Sequence, residues 1–272
     1  QGGGGWLYGL GIDDFAVFAP YHFDVAVESL DMPATIGLNN APFTLEGTLK
    51  NYGGSTITSA TINYSVNGGT AVTANLTGLS IGAYDTYNWT HTTNWTPSST
   101  GSYTVDIYAS PVNGTFDQNT SNDTLSAAIE VLTAVADRVV LAEEFTSSTC
   151  GPCASFNPGY KDLLDDNDAN TSTGRVTSVK YQMNWPAPGN DPAYNQEAAD
   201  RRVAYGISGV PDVVYSGSNI PTSQGNIDIV KNIPSVVELE AEWSATGNYI
   251  QCDASVEVLA NLGSNVVLHK TM

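Results

Sequence analysis

Two cysteines separated by two residues are the clearest chemical signal in this chain. Cys150-Gly-Pro-Cys153 follows a strand-like run, Arg138 to Phe145, and precedes a helix-compatible stretch, Ala154 to Leu164. That order predicts Cys150 at a helix N-terminus, where unpaired backbone N–H groups and the helix dipole stabilise a thiolate. A dithiol with this spacing can attack a disulfide with its first sulfur and resolve the mixed disulfide with its second.

Two other interpretations of the pair compete with redox chemistry. A zinc site would need two more thiol or imidazole ligands. The remaining candidates lie in other predicted units: His22, His91, His269 and Cys252. A structural disulfide across two residues closes almost no loop, so it would constrain the unfolded chain little. We therefore predict a redox pair with no metal and no cofactor. Cys252 is expected to be a buried core residue, although pairing with a cysteine beyond residue 272 stays open.

The distribution of charged residues divides the chain into segments, one of which contains the cysteine pair. Nine Lys and Arg residues stand against 28 Asp and Glu, and seven of those nine cations lie between residues 137 and 235. Before this segment, short β-branched and aromatic runs alternate with Asn- and Gly-rich turns, which predicts an antiparallel sandwich. The middle segment alternates strand-like and helix-like periods, which predicts an α/β unit. Strand-like runs return after residue 235.

The predicted elements follow from these periods. Strands are expected at 44–49, 59–66, 103–109, 125–132, 139–145, 175–182, 213–215, 236–243, 249–258 and 266–269. Helices are expected at 154–164 and 195–205.

The net charge of −19 argues against two classes of partner. Binders of nucleic acid or of anionic membranes need clustered Lys and Arg, which this chain lacks. No run of 18 apolar residues is present, so no transmembrane segment is predicted. Abundant Asn, Thr, Ser and Gly are typical of secreted or cell-surface β-rich modules. The chain starts at Gln1 and stops inside a strand-like run, so we expect it to continue at both ends.

The segment before residue 137 resembles parts of two known module types. Trp6 to Phe18 is similar to the last strand of carbohydrate-binding-type jelly rolls. Residues from about Phe23 to Leu132 resemble the cell-adhesion-related bacterial immunoglobulin-like domain. The matching residues are Asp24-Val-Ala-Val27, Lys50-Asn-Tyr-Gly-Gly54, Tyr64-Ser-Val-Asn-Gly-Gly69 and Asp117-Gln-Asn-Thr-Ser-Asn-Asp-Thr124. This resemblance implies a spacer or adhesive module without chemistry.

The polar turns of this module have their own interpretations. Side-chain to backbone bonds of Asn and Asp are favoured over a calcium site. Asp123-Thr-Leu125 fits the short O-glycosylation pattern of Bacteroidota, which makes Thr124 a candidate glycosylation site.

Four separated features around the cysteine pair resemble thioredoxin-fold proteins: the pair itself, Glu144 six residues before it, Pro158 five residues after it, and Tyr205-Gly-Ile-Ser-Gly-Val-Pro-Asp-Val-Val214. The resemblance implies that Cys150 is the nucleophile and Cys153 the resolving thiol. It also implies that Glu144 is a buried carboxylate that relays the proton of the resolving thiol. Pro211 is implied to follow a cis peptide bond, which brings the Val210 backbone beside the sulfurs to pair with an extended substrate.

Two departures from the thioredoxin pattern affect the substrate surface. Thr149 stands immediately before the first cysteine, where thioredoxins carry Trp. The stretch between Cys153 and Pro211 is also longer, with the excess at about 183–203. Such an insertion is expected over or beside the dithiol. Its larger side chains would either select the substrate as a lid or merely pack: Trp185, Tyr194, Arg201 and Arg202. Thr149 and Trp185 are thus candidate substrate contacts, together with Val210.

Residues 137–272 as a whole resemble the outer-membrane-protein-28 family of Bacteroidota, in which a thioredoxin-like domain precedes a β-sandwich. The matching motifs are the cysteine pair, Lys180-Tyr-Gln-Met-Asn-Trp185, Asp191-Pro-Ala-Tyr194, Arg202 and Tyr205 to Pro211. This resemblance implies a secreted, outer-membrane surface or periplasmic setting, where disulfides persist. In multidomain members it implies export by the type IX route.

These observations predict a multidomain fold class. The expected order is a truncated jelly-roll-like strand (1–21), an immunoglobulin-like β-sandwich (22–134), a thioredoxin-like α/β domain (135–235) and the start of a further β-sandwich (236–272). The predicted function is that of a thiol–disulfide oxidoreductase module acting on protein or peptide thiols and disulfides, within a large secreted or cell-surface protein. The alternative is a non-catalytic adhesin, binding or filament protein that retains the fold and binds surface ligands.

Overall fold

The computed structural model describes residues 20–261. The jelly-roll-like strand predicted at 6–18 and the strand predicted at 266–269 lie outside the described residues. The chain divides into two compact units. Among the described residues, one unit contains 20–32, Phe43–Trp95 and Tyr103–Ala128, and the other contains Pro33–Pro42, Thr96–Ser102 and 129–261. The domain boundaries expected from composition stay predictions.

Strands β1 to β8 form the two sheets of an immunoglobulin-like sandwich. The first sheet, in the order β1-β3-β6, contains β1 (Val25–Leu30), β3 (Glu46–Asn51) and β6 (Thr86–Thr90). The second, in the order β2-β8-β7-β4-β5, contains β2 (Thr35–Gly37), β4 (Ile57–Val66), β5 (Val72–Ile81), β7 (Gly101–Val112) and β8 (Thr124–Leu132). A short 3-10 turn, Leu38–Asn40, follows β2.

Alternation of side chains along the strands explains this core. In β4, Ile62 and Tyr64 are buried, and in β7 every second residue from Val105 to Ala109 is buried. Residues two apart share one face of a strand, so each strand contributes one apolar face. Asn67 and Gly68 join β4 to β5 with positive φ values of 51° and 69°, a backbone that these two residue types tolerate in a tight hairpin.

The Asp- and Asn-rich segment before β8 is bound to the first strand. Asp117 Oδ2 accepts from the Val25 N–H at 2.6 Å. Asn119 and Asn122 donate to the two carboxylate oxygens of Asp24 at 3.1 and 2.9 Å. Asp117 Oδ1 also accepts from the Asn119 N–H at 2.9 Å, a local side-chain to backbone bond of the kind that the turn-forming interpretation predicts. Within residues 20–261 no group of three or more His, Cys, Asp or Glu side chains is arranged to hold a metal ion.

The second unit contains a mixed sheet flanked by helices. The strands of this sheet and the helices that flank it are, in chain order, β9 (Val140–Thr146), α1 (Gly151–Asp165), β10 (Val176–Gln182), α2 (Gln196–Tyr205), β11 (Asp212–Tyr215), β12 (Ser218–Asn219) and α3 (Gln224–Lys231). The sheet order is β10-β9-β11-β12. Strand β10 runs parallel to β9, whereas β11 is antiparallel to β9, and β12 to β11. None of the described helices is both long enough and apolar enough to cross a membrane.

The two faces of this sheet bury different clusters. On one face, β9 residues Val140 and Ala142 pack with residues of α1 and α3. On the other, Phe145 packs with Met183 and the α2 residue Ala198. Because neighbouring residues of a strand point to opposite faces, the adjacent carboxylates Glu143 and Glu144 are directed to different faces of the sheet.

A two-stranded antiparallel hairpin, β13 (Val237–Thr246) and β14 (Tyr249–Val258), follows the α/β elements. Cys252 lies in β14 opposite Trp243, and it is a free, exposed thiol. The prediction that Cys252 is buried is therefore wrong. Burial requires a second layer, and within the described residues this hairpin forms a sheet of its own whose side chains are exposed on both faces.

Candidate functional site

Cys150 and Cys153 form a disulfide at the N-terminus of α1. Cys150 is the N-cap residue, and its sulfur accepts from the Cys153 backbone N–H at 3.1 Å. Pro152 is compatible with this position because the first-turn N–H groups have no partner within the helix. The Cys153 N–H at the helix N-terminus therefore points at the first sulfur, an arrangement that stabilises a thiolate once the disulfide is reduced.

Cys150 opens onto a shallow groove, whereas Cys153 does not line it. The groove has a volume of about 270 Å³ and is lined by Cys150, Pro152, Trp185, Pro186, Ser208, Gly209 and Val210. Cys150 is 4% exposed, at the floor of this groove, and Cys153 is 0% exposed. A thiol or disulfide that enters the groove therefore meets the first sulfur of the pair.

The Val210–Pro211 segment forms the opposite side of the groove. The peptide bond between these residues is cis. The Val210 carbonyl oxygen lies 3.7 Å from the Cys150 sulfur. Strand β11 begins directly afterwards, so the Val210 main chain is fixed against the disulfide by the sheet.

Glu144 is fully buried at the centre of β9. Its Oε2 atom forms an ion pair with Lys180 Nζ at 2.9 Å, and Lys180 is the register partner of Glu144 on β10. With its amide oriented to satisfy both neighbours, Asn157 donates to Glu144 Oε1 at 2.7 Å and to the Cys153 carbonyl oxygen at 3.1 Å. One side chain of α1 thus connects the buried carboxylate to the backbone of the second cysteine.

Two hydrogen bonds fasten the loop before Cys150 to the insertion at 183–203. Asp191 Oδ2 accepts from the Ser148 N–H at 2.7 Å, and Thr149 Oγ1 donates to the Trp185 carbonyl at 3.0 Å. Burial disfavours the charged form of Asp191, but the N–H donors of Ser148 and Ala193 outweigh it, and the pKa of Asp191 lies below its ordinary value. The ionised carboxylate therefore holds the insertion beside the disulfide.

Trp185 is the aromatic wall of the groove. The Arg202 guanidinium lies 4.8 Å from the centre of its ring, within the distance of a cation–π contact. Arg202 is itself held by a 2.9 Å hydrogen bond from Nη1 to the Ile207 carbonyl. Of the aromatic side chains predicted in the insertion, Trp185 is thus at the groove, whereas Tyr194 is 40% exposed and is absent from its lining.

Arg201 packs on the face of the sheet opposite to Glu144. Its Nε and Nη2 atoms bind the two carboxylate oxygens of Glu143 at 2.7 and 2.9 Å. The hydroxyls of Tyr205 and Tyr181 donate to the same carboxylate at 2.6 and 3.1 Å. Burial and the bond to Glu143 raise the pKa of Tyr205 to about 12. Arg201 therefore binds α2 to the sheet.

Three residues of this arrangement had no predicted role. Lys180 and Asp191 lie inside motifs that carried the family resemblance, but their partners are distant in sequence. Asn157 immediately precedes Pro158, and only the packing of α1 on β9 brings it to Glu144. Thr124, the candidate glycosylation site, is exposed at the start of β8, and its modification stays a prediction.

Comparison with known proteins concerns the β-sandwich. The family model CARDB matches residues 23–127. The predicted cell-adhesion-related bacterial immunoglobulin-like domain is confirmed for this segment. No curated protein matches the chain.

Several solved structures are similar to part of the chain. The crystal structure of a CARDB domain from Pyrococcus furiosus, in complex with di-metal ions, is 24% identical and covers 43% of this chain and 97% of that one, with a TM-score of 0.34. A solution structure of a domain from Methanosarcina acetivorans, of a protein described as a cell surface protein, is 29% identical and covers 42% of this chain and 94% of that one, with a TM-score of 0.35.

Proposed function

We propose that this chain carries a thioredoxin-like thiol–disulfide oxidoreductase module, and that Cys150 is its reactive sulfur. The observation that carries the proposal is the Cys150–Cys153 disulfide at the N-terminus of α1, open to a groove through Cys150 alone. The Val210 carbonyl beside the Cys150 sulfur and the buried Glu144 are supporting observations. Each of them is what the resemblance to thioredoxin-fold proteins implies for that position.

In the oxidised form, a substrate thiolate attacks the Cys150 sulfur and breaks the Cys150–Cys153 bond. Cys153 leaves as a thiolate and takes up a proton, with Glu144 as the relay. A second substrate thiolate then attacks the substrate sulfur of the mixed disulfide and releases Cys150. The substrate dithiol becomes a disulfide and the two electrons remain in the cysteine pair. Reduction of a substrate disulfide is the same sequence in reverse.

The proposed setting is the cell surface or the secreted fraction, where disulfides persist. The CARDB match at residues 23–127 supports this setting because it is an adhesion-related module. In this account the β-sandwich supplies attachment or spacing, and the α/β unit acts on thiols or disulfides of exported proteins. The outer-membrane-protein-28 relationship and type IX export belong to the same proposal.

A reductase assay tests the proposed chemistry. The reduced chain is expected to reduce the interchain disulfides of insulin with dithiothreitol as the electron donor, and the insulin chains then precipitate. The Cys150→Ser/Cys153→Ser variant is the matched control and should give only the dithiothreitol rate. Equal rates for both proteins would remove the catalytic proposal.

The second candidate function is that of a non-catalytic surface adhesin or filament subunit, which the CARDB match favours. In this case the cysteine pair would be a permanent disulfide. A pair that is fully oxidised as isolated, with a reduction potential below about −300 mV, would support it, because such disulfides resist reduction by thiol pools.

A further inference from the structure

We infer that Trp185 determines specificity, and that the dithiol acts on extended peptides whose reacting cysteine is flanked by a bulky apolar side chain. This inference rests on the proposed thiol–disulfide chemistry and names its substrate class. Small disulfides without such a side chain would react with the dithiol, but without the benefit of the groove.

The size and composition of the groove point to this class. A volume of about 270 Å³ lies below the roughly 300–1,000 Å³ of pockets that enclose drug-sized ligands, so the groove accommodates one or two side chains. No charged residue lines it, and Trp185, Pro186 and Val210 present hydrocarbon surface. A charged substrate side chain would lose its hydration there without gaining a partner.

The position of Cys150 determines where a bound substrate must place its reacting sulfur. Because the sulfur is part of the groove lining, a cysteine that reaches it places the adjoining residue of the peptide against Trp185 or Val210. The Val210 carbonyl, 3.7 Å from that sulfur, adds a main-chain acceptor beside the reacting atom. An extended peptide can use both features at once.

Trp185 is held in place before any substrate arrives. Its carbonyl accepts from Thr149 Oγ1 at 3.0 Å, and its ring lies against the Arg202 guanidinium. The Asp191 carboxylate ties the same insertion to Ser148. A wall fixed in advance costs little ordering entropy on binding, so apolar contact with it contributes to discrimination.

Matched peptide disulfides test the inference. Two synthetic peptides carry one cysteine each, blocked as a mixed disulfide with 5-thio-2-nitrobenzoate, and differ only in leucine or glycine before the cysteine. Stopped-flow absorbance gives the second-order rate constant for the reduced chain with each, in a Cys252→Ser background because the exposed Cys252 thiol would also react. We expect the leucine peptide to react about tenfold faster, the usual discrimination from one apolar side chain in a hydrophobic pocket.

Variants of Trp185 test whether its side chain is the origin of the leucine-to-glycine rate ratio. Trp185→Ala should reduce the leucine-to-glycine ratio to below about threefold, and Trp185→Phe should restore most of it. Tyr194→Ala, an exposed aromatic of the same insertion, is the matched control and should keep the ratio of the native chain.

Failure of this inference can be distinguished from failure of the proposed function. Reaction with both peptides at equal rates, or a ratio unchanged in Trp185→Ala, overturns the inference and leaves the dithiol chemistry standing. In the Cys252→Ser background, absence of reaction with either peptide and with free 5,5′-dithiobis(2-nitrobenzoate) overturns the proposed function and the inference together.

Discussion

Replacing Arg201 with alanine should destabilise the α/β unit strongly. Glu143 is 1% exposed, and Arg201 supplies two hydrogen bonds to its carboxylate, at 2.7 and 2.9 Å. Removing one partner of a buried pair costs about 3–5 kcal/mol because the other charge stays buried. Arg201 is 25% exposed, and the hydroxyls of Tyr205 and Tyr181 remain on Glu143, so we expect the lower end, about 3 kcal/mol.

Urea unfolding followed by circular dichroism at 222 nm measures this change. All three described α-helices lie in the second unit, so the helical signal reports on that unit. Glu143→Met/Arg201→Met should lose less than Arg201→Ala, because it leaves no buried charge. Lys161→Ala removes an exposed ion pair with Asp165 and should leave the midpoint of urea unfolding almost unchanged. A loss below about 1 kcal/mol in Arg201→Ala would refute the reasoning.

Two further predictions concern other buried groups. Burial first, and then Asp117 and Asp24, raise the pKa of Asp123 to about 6, so its ionisation destabilises the folded sandwich as pH rises from about 4 to 6. Asp123→Asn should therefore raise the melting temperature at pH 7 and not at pH 4; an equal gain at both would contradict this. Asn157→Ala removes the donor to buried Glu144 and should lower the free energy of unfolding by about 1–2 kcal/mol in urea titrations. Ser155→Ala, exposed on the same helix, is its control, and equal losses in both would count against the contact.

Local patterns predicted the elements around the dithiol well. The strand expected at 175–182 is Val176–Gln182, and the helix expected at 195–205 is Gln196–Tyr205, which begins where Asn195 caps it. The helix expected at 154–164 begins earlier, at Gly151, because the Cys150 sulfur itself acts as the cap. Strong periodicity and caps are local signals, so they are visible in sequence.

Weak or short patterns were missed. Helix α3 has only eight residues, and its signals are Ser223 as a cap and the buried pair Ile227 and Val230. Strand β5, Val72–Ile81, is rich in Thr, Asn and Gly and mostly lacks burial, because it lies at the edge of its sheet. Propensity alone does not identify such elements, since tertiary pairing determines them.

Only some of the contacts around the disulfide could be predicted from the sequence, for a similar reason. Register relative to the cysteine pair identified Glu144, but nothing local separates it from the adjacent Glu143, whose ion pair with Arg201 depends on the docking of α2. The bond from Thr149 to Trp185 joins residues 36 apart in sequence. Contacts of this kind exist only once the sheet has formed.

The central claim is that Cys150 attacks and Cys153 resolves. Mass spectrometry of the Cys153→Ser and Cys150→Ser variants, each incubated with a peptide disulfide, tests it most directly. The account predicts a stable mixed disulfide on Cys150 in the Cys153→Ser variant, and little adduct on Cys153 in Cys150→Ser, because buried Cys153 does not line the groove. Equal adducts on Cys150 and Cys153 in their respective variants, or adducts only on the exposed Cys252, would contradict it.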